Sequence, residues 1–282
     1  MESRVEHKYL VPETLRARLR AVIQPFVHPD PHATPREAHG GYRGYTVRSI
    51  YYDTSRFAHY FANEDGLAVR AKPRIRGYDS EQADSVAFLE VKKRNGAVGS
   101  KARAPMKFTD VPALLASGDI GTHVMSNRSS PSAVTDAEQF LHRVRRFALR
   151  PVVTVQYDRE PYVGTYETSL RVTFDGDIRS VAYPALSDLY RLEHDRRSLR
   201  GSFVLEVKYD SRLGFPVWLR PFLASHGIVR RALSKYSVCL TDLGIVQAHS
   251  RTAALARSEW RRRADRRSGF RPHGSEEMAW TR

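Results

Sequence analysis

The most constraining feature of this chain is a stretch in which charge alternates with apolar character. In Leu67–Tyr78, LAVRAKPRIRGY, the residues Arg70, Lys72, Arg74 and Arg76 fall at every second position, with Val69, Ala71, Pro73, Ile75 and Gly77 between them. Successive side chains of an extended strand point to opposite faces, so the cations share one face and the small or apolar residues the other. One such strand on its own is ordinarily a sheet edge with its charged side in water. The pattern recurs, however. Glu90, Lys92 and Arg94 alternate with Leu89, Val91 and Lys93, and Lys101 and Arg103 with Ala102 and Ala104. Arg171, Thr173 and Asp175 alternate with Leu170, Val172 and Phe174, and Glu206, Lys208 and Asp210 with Leu205, Val207 and Tyr209. Near the start, Glu2, Arg4, Glu6 and Lys8 alternate with Val5, His7 and Tyr9. Helices packed on a sheet need only its apolar face. Closing these strands into a barrel with helices outside puts the charged faces inside. The result is a polar tunnel whose cation excess suits a long or highly charged anion.

The bounds agree. The 282 residues suffice for one large domain or two small ones. A net charge of +15 makes an anionic partner the default expectation. The lone cysteine, Cys239, excludes an intramolecular disulfide and is compatible with a reducing compartment. The N-terminal MESRVEHKYL has no apolar signal-peptide core, and no apolar run approaches the roughly 20 residues of a membrane span. A cytoplasmic location is expected.

In chain order, residues 2–10 read as a strand, with Pro12 opening a helix whose stripe is Leu15, Leu19, Val22 and Ile23. A Pro/His/Gly-rich loop, 25–44, leads to a strand at 45–53, after which Asp53, Thr54 and Ser55 cap a short helix. Strands follow at 67–78, 86–94 and 101–108, the last two joined by a turn at Asn95-Gly96. A short helix at 109–116 and a Ser/Gly/Asn loop at 117–133 precede a helix that a Thr135/Glu138 capping box starts, with Phe140, Leu141, Val144 and Phe147 on one face. An antiparallel pair is expected at 150–162 and 169–179, then a charged loop at 187–202 and a strand at 203–210. Helices follow at 216–226 and 234–243, the last ended by Gly244. The domain is bounded at 1–249; residues 250–282 form a basic tail, disordered by composition, with nine Arg against four acids from position 251.

Several chemistries are absent from the sequence: no GxxxxGK[ST] or GxGxxG, no HExxH, and no nucleophile elbow around any Ser. Specific nucleic-acid binding would need exposed aromatics among the cations, and strand tyrosines such as Tyr45, Tyr51 and Tyr52 read better as core.

Eight segments in order, RVEHKYLV, YTVRSIYYDT, KPRIRGY, FLEVKKR with KAR beyond it, VQYDREPY, LRVTFDGDI, VLEVKYD and ALSKY, resemble the VTC-type polyphosphate polymerase domain. That domain belongs to the triphosphate tunnel metalloenzyme (CYTH-like) superfamily, and the resemblance covers about residues 2–244. It implies an α+β fold, a closed antiparallel β-tunnel flanked by helices. It also implies transfer of the ATP γ-phosphate to a growing inorganic polyphosphate chain with Mn²⁺ or Mg²⁺. Matched by motif, Lys8 is the first-strand lysine, Arg74 and Arg76 the RxR pair, Lys92 and Lys101 the lysines of the next two strands. Tyr157 and Arg159 match the YxR motif, Arg171 the arginine of RxxxD, Glu206 the metal-binding glutamate, and Ser234 with Lys235 the SK pair at the tunnel end. The catalytic set is then Arg74, Arg76, Lys92, Arg159, Arg171 and Lys235. Lys8, Lys101, Arg103, Tyr157, Lys208 and Ser234 are expected to bind substrate.

Where the superfamily's hydrolases begin ExExK, this chain reads Arg4, Glu6, Lys8, which suits the polymerase branch. The family's SPX domain and transmembrane helices have no counterpart in the sequence, so regulation and membrane attachment are expected from a membrane-protein partner at the inner face. Phosphoryl transfer asks mainly for alignment and charge stabilisation, which Arg forks supply to phosphate oxygens. Glu206 can hold a divalent metal with help from Glu90, Asp175 or Glu6. Plainer roles compete: Glu6 and Glu90 as neutralisers of neighbouring cations, Asp177 as turn chemistry, Tyr157 as core, Arg70 and Lys72 at the barrel mouth. The function classes that remain are a polymerase, a tunnel hydrolase of tripolyphosphate or nucleoside triphosphate, and a non-catalytic polyphosphate-binding module.

Overall fold

Strand alternation decides the layering. The computed structural model describes residues 4–36, 41–96, 98–126 and 130–246. The elements are β1 (Arg4–Pro12), α1 (Arg16–Ile23), β2 (Val27–Pro29), β3 (Thr34–Pro35), β4 (Arg43–Asp53), α2 (Ala58–Glu64), β5 (Val69–Tyr78), β6 (Val86–Asn95) and β7 (Val98–Lys107). They continue with α3 (Val111–Ser117), α4 (Ile120–His123), α5 (Ala133–Arg146), β8 (Arg150–Gly164), β9 (Arg171–Ala182), β10 (Arg196–Ser198), β11 (Ser202–Asp210), α6 (Arg220–Ser225) and α7 (Lys235–Asp242). The expected basic tail lies outside the described residues.

The long strands form one antiparallel path, β1-β11-β9-β8-β4-β5-β6-β7, and β2, β3 and β10 pair onto it. The apolar halves of the alternating strands turn outward under helices. Ile75, Leu89, Val91, Ala102 and Ala104 are buried with Leu114 of α3 and Phe140 and Leu141 of α5. On the other flank Val172, Phe174, Leu205 and Val207 are buried with Leu19 and Ile23 of α1 and Phe222 and Leu223 of α6. Gly77, in KPRIRGY, is required by packing: a Cβ there would lie 2.5 Å from the Tyr190 hydroxyl.

The charged halves turn inward, as the pattern implies, but the barrel is not closed. The curled sheet stays open because both of its edges are taken by other segments rather than by each other. Along β1, Tyr9 bridges Arg230, and the Arg231 N–H donates to the Lys8 carbonyl at 2.8 Å. Along β7, Met106 bridges Val124, and the Arg103 N–H donates to Asp136 of α5 at 3.0 Å. Unpaired edge groups invite pairing with another chain, and these segments satisfy some of them. Across the seam the strands meet through side chains, with Lys92 Nζ of β6 donating to Glu6 Oε2 of β1 at 3.1 Å.

Other differences are local. The loop expected at 25–44 holds β2 and β3, that at 117–133 holds α4, and that at 187–202 holds β10. Helix α5 begins at Ala133, two residues before the expected Thr135, and Phe147 lies past its end, 45 % exposed. The expected cap at Asp53 is present: its carboxylate accepts from the His59 and Tyr60 N–H groups.

Candidate active site

Helix α7 organises one end of the tunnel. Ser234 is its N-cap, accepting from the Ser237 N–H, and Lys235 follows as its first residue. Tyr236, Cys239 and Leu240 bury against Val155, Val204 and Ile178 of the sheet, and burial pushes the Cys239 thiol up to about 12. Filled in this way, the helix holds Lys235 inside the sheet, 7 % exposed.

The Lys235 ammonium lies 2.5 Å from Asp175 Oδ2 and 2.8 Å from Glu206 Oε1. Arg159 grips Asp175 with two bonds of 2.7 Å and reaches Glu206 Oε2 at 3.6 Å. Lys8 and Lys208 complete the ring around Glu206 at 3.5 and 3.4 Å. Tyr157 roofs the group, its ring 4.7 Å from the Lys235 ammonium. Burial alone would raise the Glu206 carboxyl, but Lys235, Lys8, Lys208 and Arg159 outweigh it and hold it well below the usual range.

A second cluster continues along the inner face through β4, β5, β6 and β7. Arg74 and Lys101 lie 2.6 and 2.7 Å from Glu90, with Arg103 at 3.5 Å and Arg76 at 3.8 Å. Arg74 also donates to the Tyr51 hydroxyl at 2.8 Å, and Arg103 stacks 3.7 Å from the Phe88 ring centre. Burial acts to raise Glu90, and Arg74, Arg76 and Lys101 overcome it. Glu6 joins the clusters across the seam: burial would raise it, yet Lys8, Lys208 and Lys92 bring it down to about 2. The neutralising role read for Glu6 and Glu90 is thus their place in the structure.

Of the residues singled out in the sequence, Lys8, Arg74, Arg76, Lys92, Lys101, Arg103, Tyr157, Arg159, Lys208, Ser234, Lys235 and Glu206 share this inner surface. Arg171 does not join it. Its strand parity is right, but it is the first residue of β9 and its guanidinium donates to the Thr168 and Leu170 carbonyls. Asp177 lies inside β9 beside the β8–β9 register shift, with φ +46°, and pairs with Arg179; it marks a strand irregularity rather than the turn read from the sequence. Lys72, half-buried, is bonded to Ser234 Oγ at the start of α7 at 2.8 Å. Thr173 was overlooked. It pairs with Glu206 across β9 and β11, is 7 % exposed, and its hydroxyl has no hydrogen-bond partner among the described residues. Its position two residues before Asp175 was the available signal.

The chain is thus an α+β curled antiparallel sheet whose concave face is lined with cations and the carboxylates that pair with them. The VTC domain model matches residues 3–243, and the chain belongs to that family. It is 28 % identical over 161 residues to vacuolar transporter chaperone complex subunit 4 of Trypanosoma brucei brucei, an alignment covering 49 % of this chain and 20 % of that protein. The chain thus spans about a fifth of that relative's length. Among solved structures, a putative adenylyl cyclase from Hippeastrum, described as having a dominant triphosphatase activity, aligns with TM-score 0.45 and 14 % identity over 86 % of this chain and 96 % of that one. Protein PH1819 of Pyrococcus horikoshii OT3 aligns with TM-score 0.40 and 12 % identity over 84 % and 99 %. Among the described residues, no helix is long and apolar enough to cross a membrane.

Proposed function

We propose that this chain is an ATP–polyphosphate phosphotransferase that lengthens inorganic polyphosphate inside the sheet. The observation that carries the reading is the convergence of Arg159, Lys235, Lys8 and Lys208 on buried Glu206, continuous with the Arg74, Arg76, Lys101 and Arg103 group around Glu90. A phosphate chain presents charge at regular intervals, and a row of Arg forks and ammonium groups can hold successive phosphates while stabilising charge in transfer. No side-chain nucleophile is required if the terminal phosphate of the acceptor attacks in line.

The donor set fits a divalent metal that arrives with its phosphates. Among the described residues no three His, Cys, Asp or Glu side chains gather at one point, so the protein alone completes no coordination sphere. Magnesium commonly takes one or two carboxylates and completes its shell with phosphate oxygens and water. Glu206 and Asp175, which flank one ammonium, can supply those carboxylates. Bound there, Mn²⁺ or Mg²⁺ would neutralise charge on the phosphates. The chain's own residues do the rest: Arg159 and Lys235 orient the carboxylates, Arg74 and Arg76 bind phosphate, and Tyr157 excludes water above them. Attachment at the inner face of a membrane through a membrane-protein partner is part of the proposal; the Trypanosoma relative is named as a subunit of a vacuolar transporter chaperone complex.

The test is incubation with ATP and Mn²⁺, with ADP, free phosphate and polymer assayed separately. ADP with polymer and little phosphate is expected; phosphate without polymer would make the chain a hydrolase, and neither product a binding module. Glu206→Gln should lower polymer synthesis by roughly a hundredfold while polyphosphate still binds, since the cations remain.

A further inference from the structure

Lys72, half-buried, differs from the other cations of the inner face. Its single hydrogen-bond partner among the described residues is Ser234 Oγ at 2.8 Å, and no described carboxylate lies within ion-pair distance of it. The charged groups around it are cations: Lys8 from β1, Arg70 and Arg74 from its own strand, and Lys92 from β6. The carboxylates nearby are committed elsewhere. Glu6 is held by Lys8, Lys92 and Lys208, and Glu90 by Arg74 and by Lys101 of β7. From α7 comes Ser234, followed by Lys235, which Asp175 and Glu206 hold. Helix α2 contacts β5 and α7, and neither its His59 nor its Glu64 forms an ion pair with Lys72.

An ammonium in this position loses solvation and gains repulsion. Burial first, then Lys8, Lys92, Arg70 and Arg74, push the Lys72 amine well below the ordinary lysine range. Lys101 and Lys208 are lowered by burial too, but each keeps a carboxylate, at 2.7 and 3.4 Å. Lys8 and Lys235 are raised by theirs. The other inner-face lysines, Lys8, Lys92, Lys101, Lys208 and Lys235, each hold an ion pair that a ligand would have to displace. Among the described residues Lys72 has none to give up.

We propose that Lys72 is a polyphosphate-binding residue that is a neutral amine in the empty tunnel and takes up one proton from solvent as a phosphate group binds beside Ser234. The inference rests on the tunnel being the polyphosphate site. Charge and atoms balance simply: amine, proton and phosphate oxyanion become an ammonium–phosphate pair. No bond to phosphorus is made or broken. Between the pKa of the amine in the empty tunnel and its pKa in the complex, this step makes affinity fall by about tenfold per pH unit as pH rises. Below the lower of those values it contributes no pH dependence.

The test is calorimetric titration of the full chain with tripolyphosphate, without metal, in two buffers of different ionisation enthalpy at intervals from about pH 6 to 9. The dependence of the observed heat on buffer gives the protons taken up. Comparison with Lys72→Met and Lys72→Arg cancels protons exchanged by the ligand itself. Arginine keeps its charge at every pH used, so Lys72→Arg should bind with no extra uptake and a flatter pH profile. Wild type should take up about one proton more than either variant at the pH where the difference peaks. If Lys72→Met does not bind or fold, Lys72→Arg decides. Equal proton counts for wild type and Lys72→Arg at every pH overturn the proposal. A proton difference that persists when no polymer is made from ATP supports Lys72 and removes the polymerase reading. Wild type that binds no tripolyphosphate removes both.

Discussion

Replacing Lys235 by methionine removes one charge and keeps most of the volume, so its cost isolates what the buried ammonium does. Lys235 lies 2.8 Å from Glu206 and 2.5 Å from Asp175. At an effective dielectric of about 20, each contact carries a gross attraction of about 6 kcal/mol, much of it cancelled by the desolvation of the ammonium. The net loss has a ceiling, because the stranded carboxylates can shed charge by binding a proton. For Glu206, with an ordinary value of 4.5, taking up a proton costs about 1.4 kcal/mol for each pH unit above that value. The expected destabilisation is therefore about 4 kcal/mol at pH 7.5 and about 1.5 kcal/mol at pH 5.5. The sign follows from the direction of the shifts. In the wild type Glu206 and Asp175 are depressed, so their stabilisation is full above the ordinary carboxylate range and is lost only as pH falls through their lower folded values. The variant's carboxylates keep Lys8, Lys208 and Arg159. The two destabilisation values are ceilings, reached if burial then outweighs those cations and raises one carboxylate; stability in that case increases as pH falls through the raised value. Denaturant unfolding of both proteins at the two pH values measures the gap. A gap that does not narrow at the lower pH, or a variant as stable as wild type, would refute the ion-pair reading. Lys92→Met is the control: its ammonium is 53 % exposed and meets only Glu6, so a change within about 1 kcal/mol is expected.

Tripolyphosphate at 100 times its dissociation constant should stabilise the fold by about 2.7 kcal/mol, less in high salt, as read by thermal unfolding; indifference would put these cations in bulk water. Ile75→Asp keeps every lining cation but charges a side chain with no exposure under α5, so it should cost more than about 4 kcal/mol and abolish folding first, checked by circular dichroism. Ending the chain at Ala248 should leave folding and polymer synthesis intact, and loss of folding would move the boundary of the domain.

Much of this arrangement is legible in the sequence because a strand has a period of two. Parity alone separates Leu205 and Val207 from Glu206 and Lys208, and Ile75 from Arg74 and Arg76. Parity cannot say what lies opposite. Alternating cations imply repulsion that any replacement would relieve, yet Glu6, Glu90, Asp175 and Glu206 are spaced so that Lys235 and Arg74 are needed to keep buried carboxylates paired. The open seam was illegible for a related reason: strand edges are settled by segments distant in sequence, Arg230–Arg231 on β1 and Val124 on β7. The setting of Lys72 depends likewise on where α7 enters, 162 residues away. Arg171 fails by position, since the first residue of a strand finds loop carbonyls within reach of its guanidinium.

The internal carboxylates also bear on turnover. Glu90 and Glu206 occupy the forks and ammonium groups that a phosphate would use, so an incoming chain must exchange partners at each step rather than meet bare charge. Affinity is then the small remainder of two large attractions. A groove lined with cations alone would grip every segment of the polymer equally, and uniform grip slows release without hastening transfer. With its own anions in place, the sheet can let a polymer slide onward by handing each cation back to a carboxylate as a phosphate leaves. If the chain makes polymer as proposed, length of product would reflect the competition between protein carboxylate and phosphate, which changing Glu90 alone would tilt.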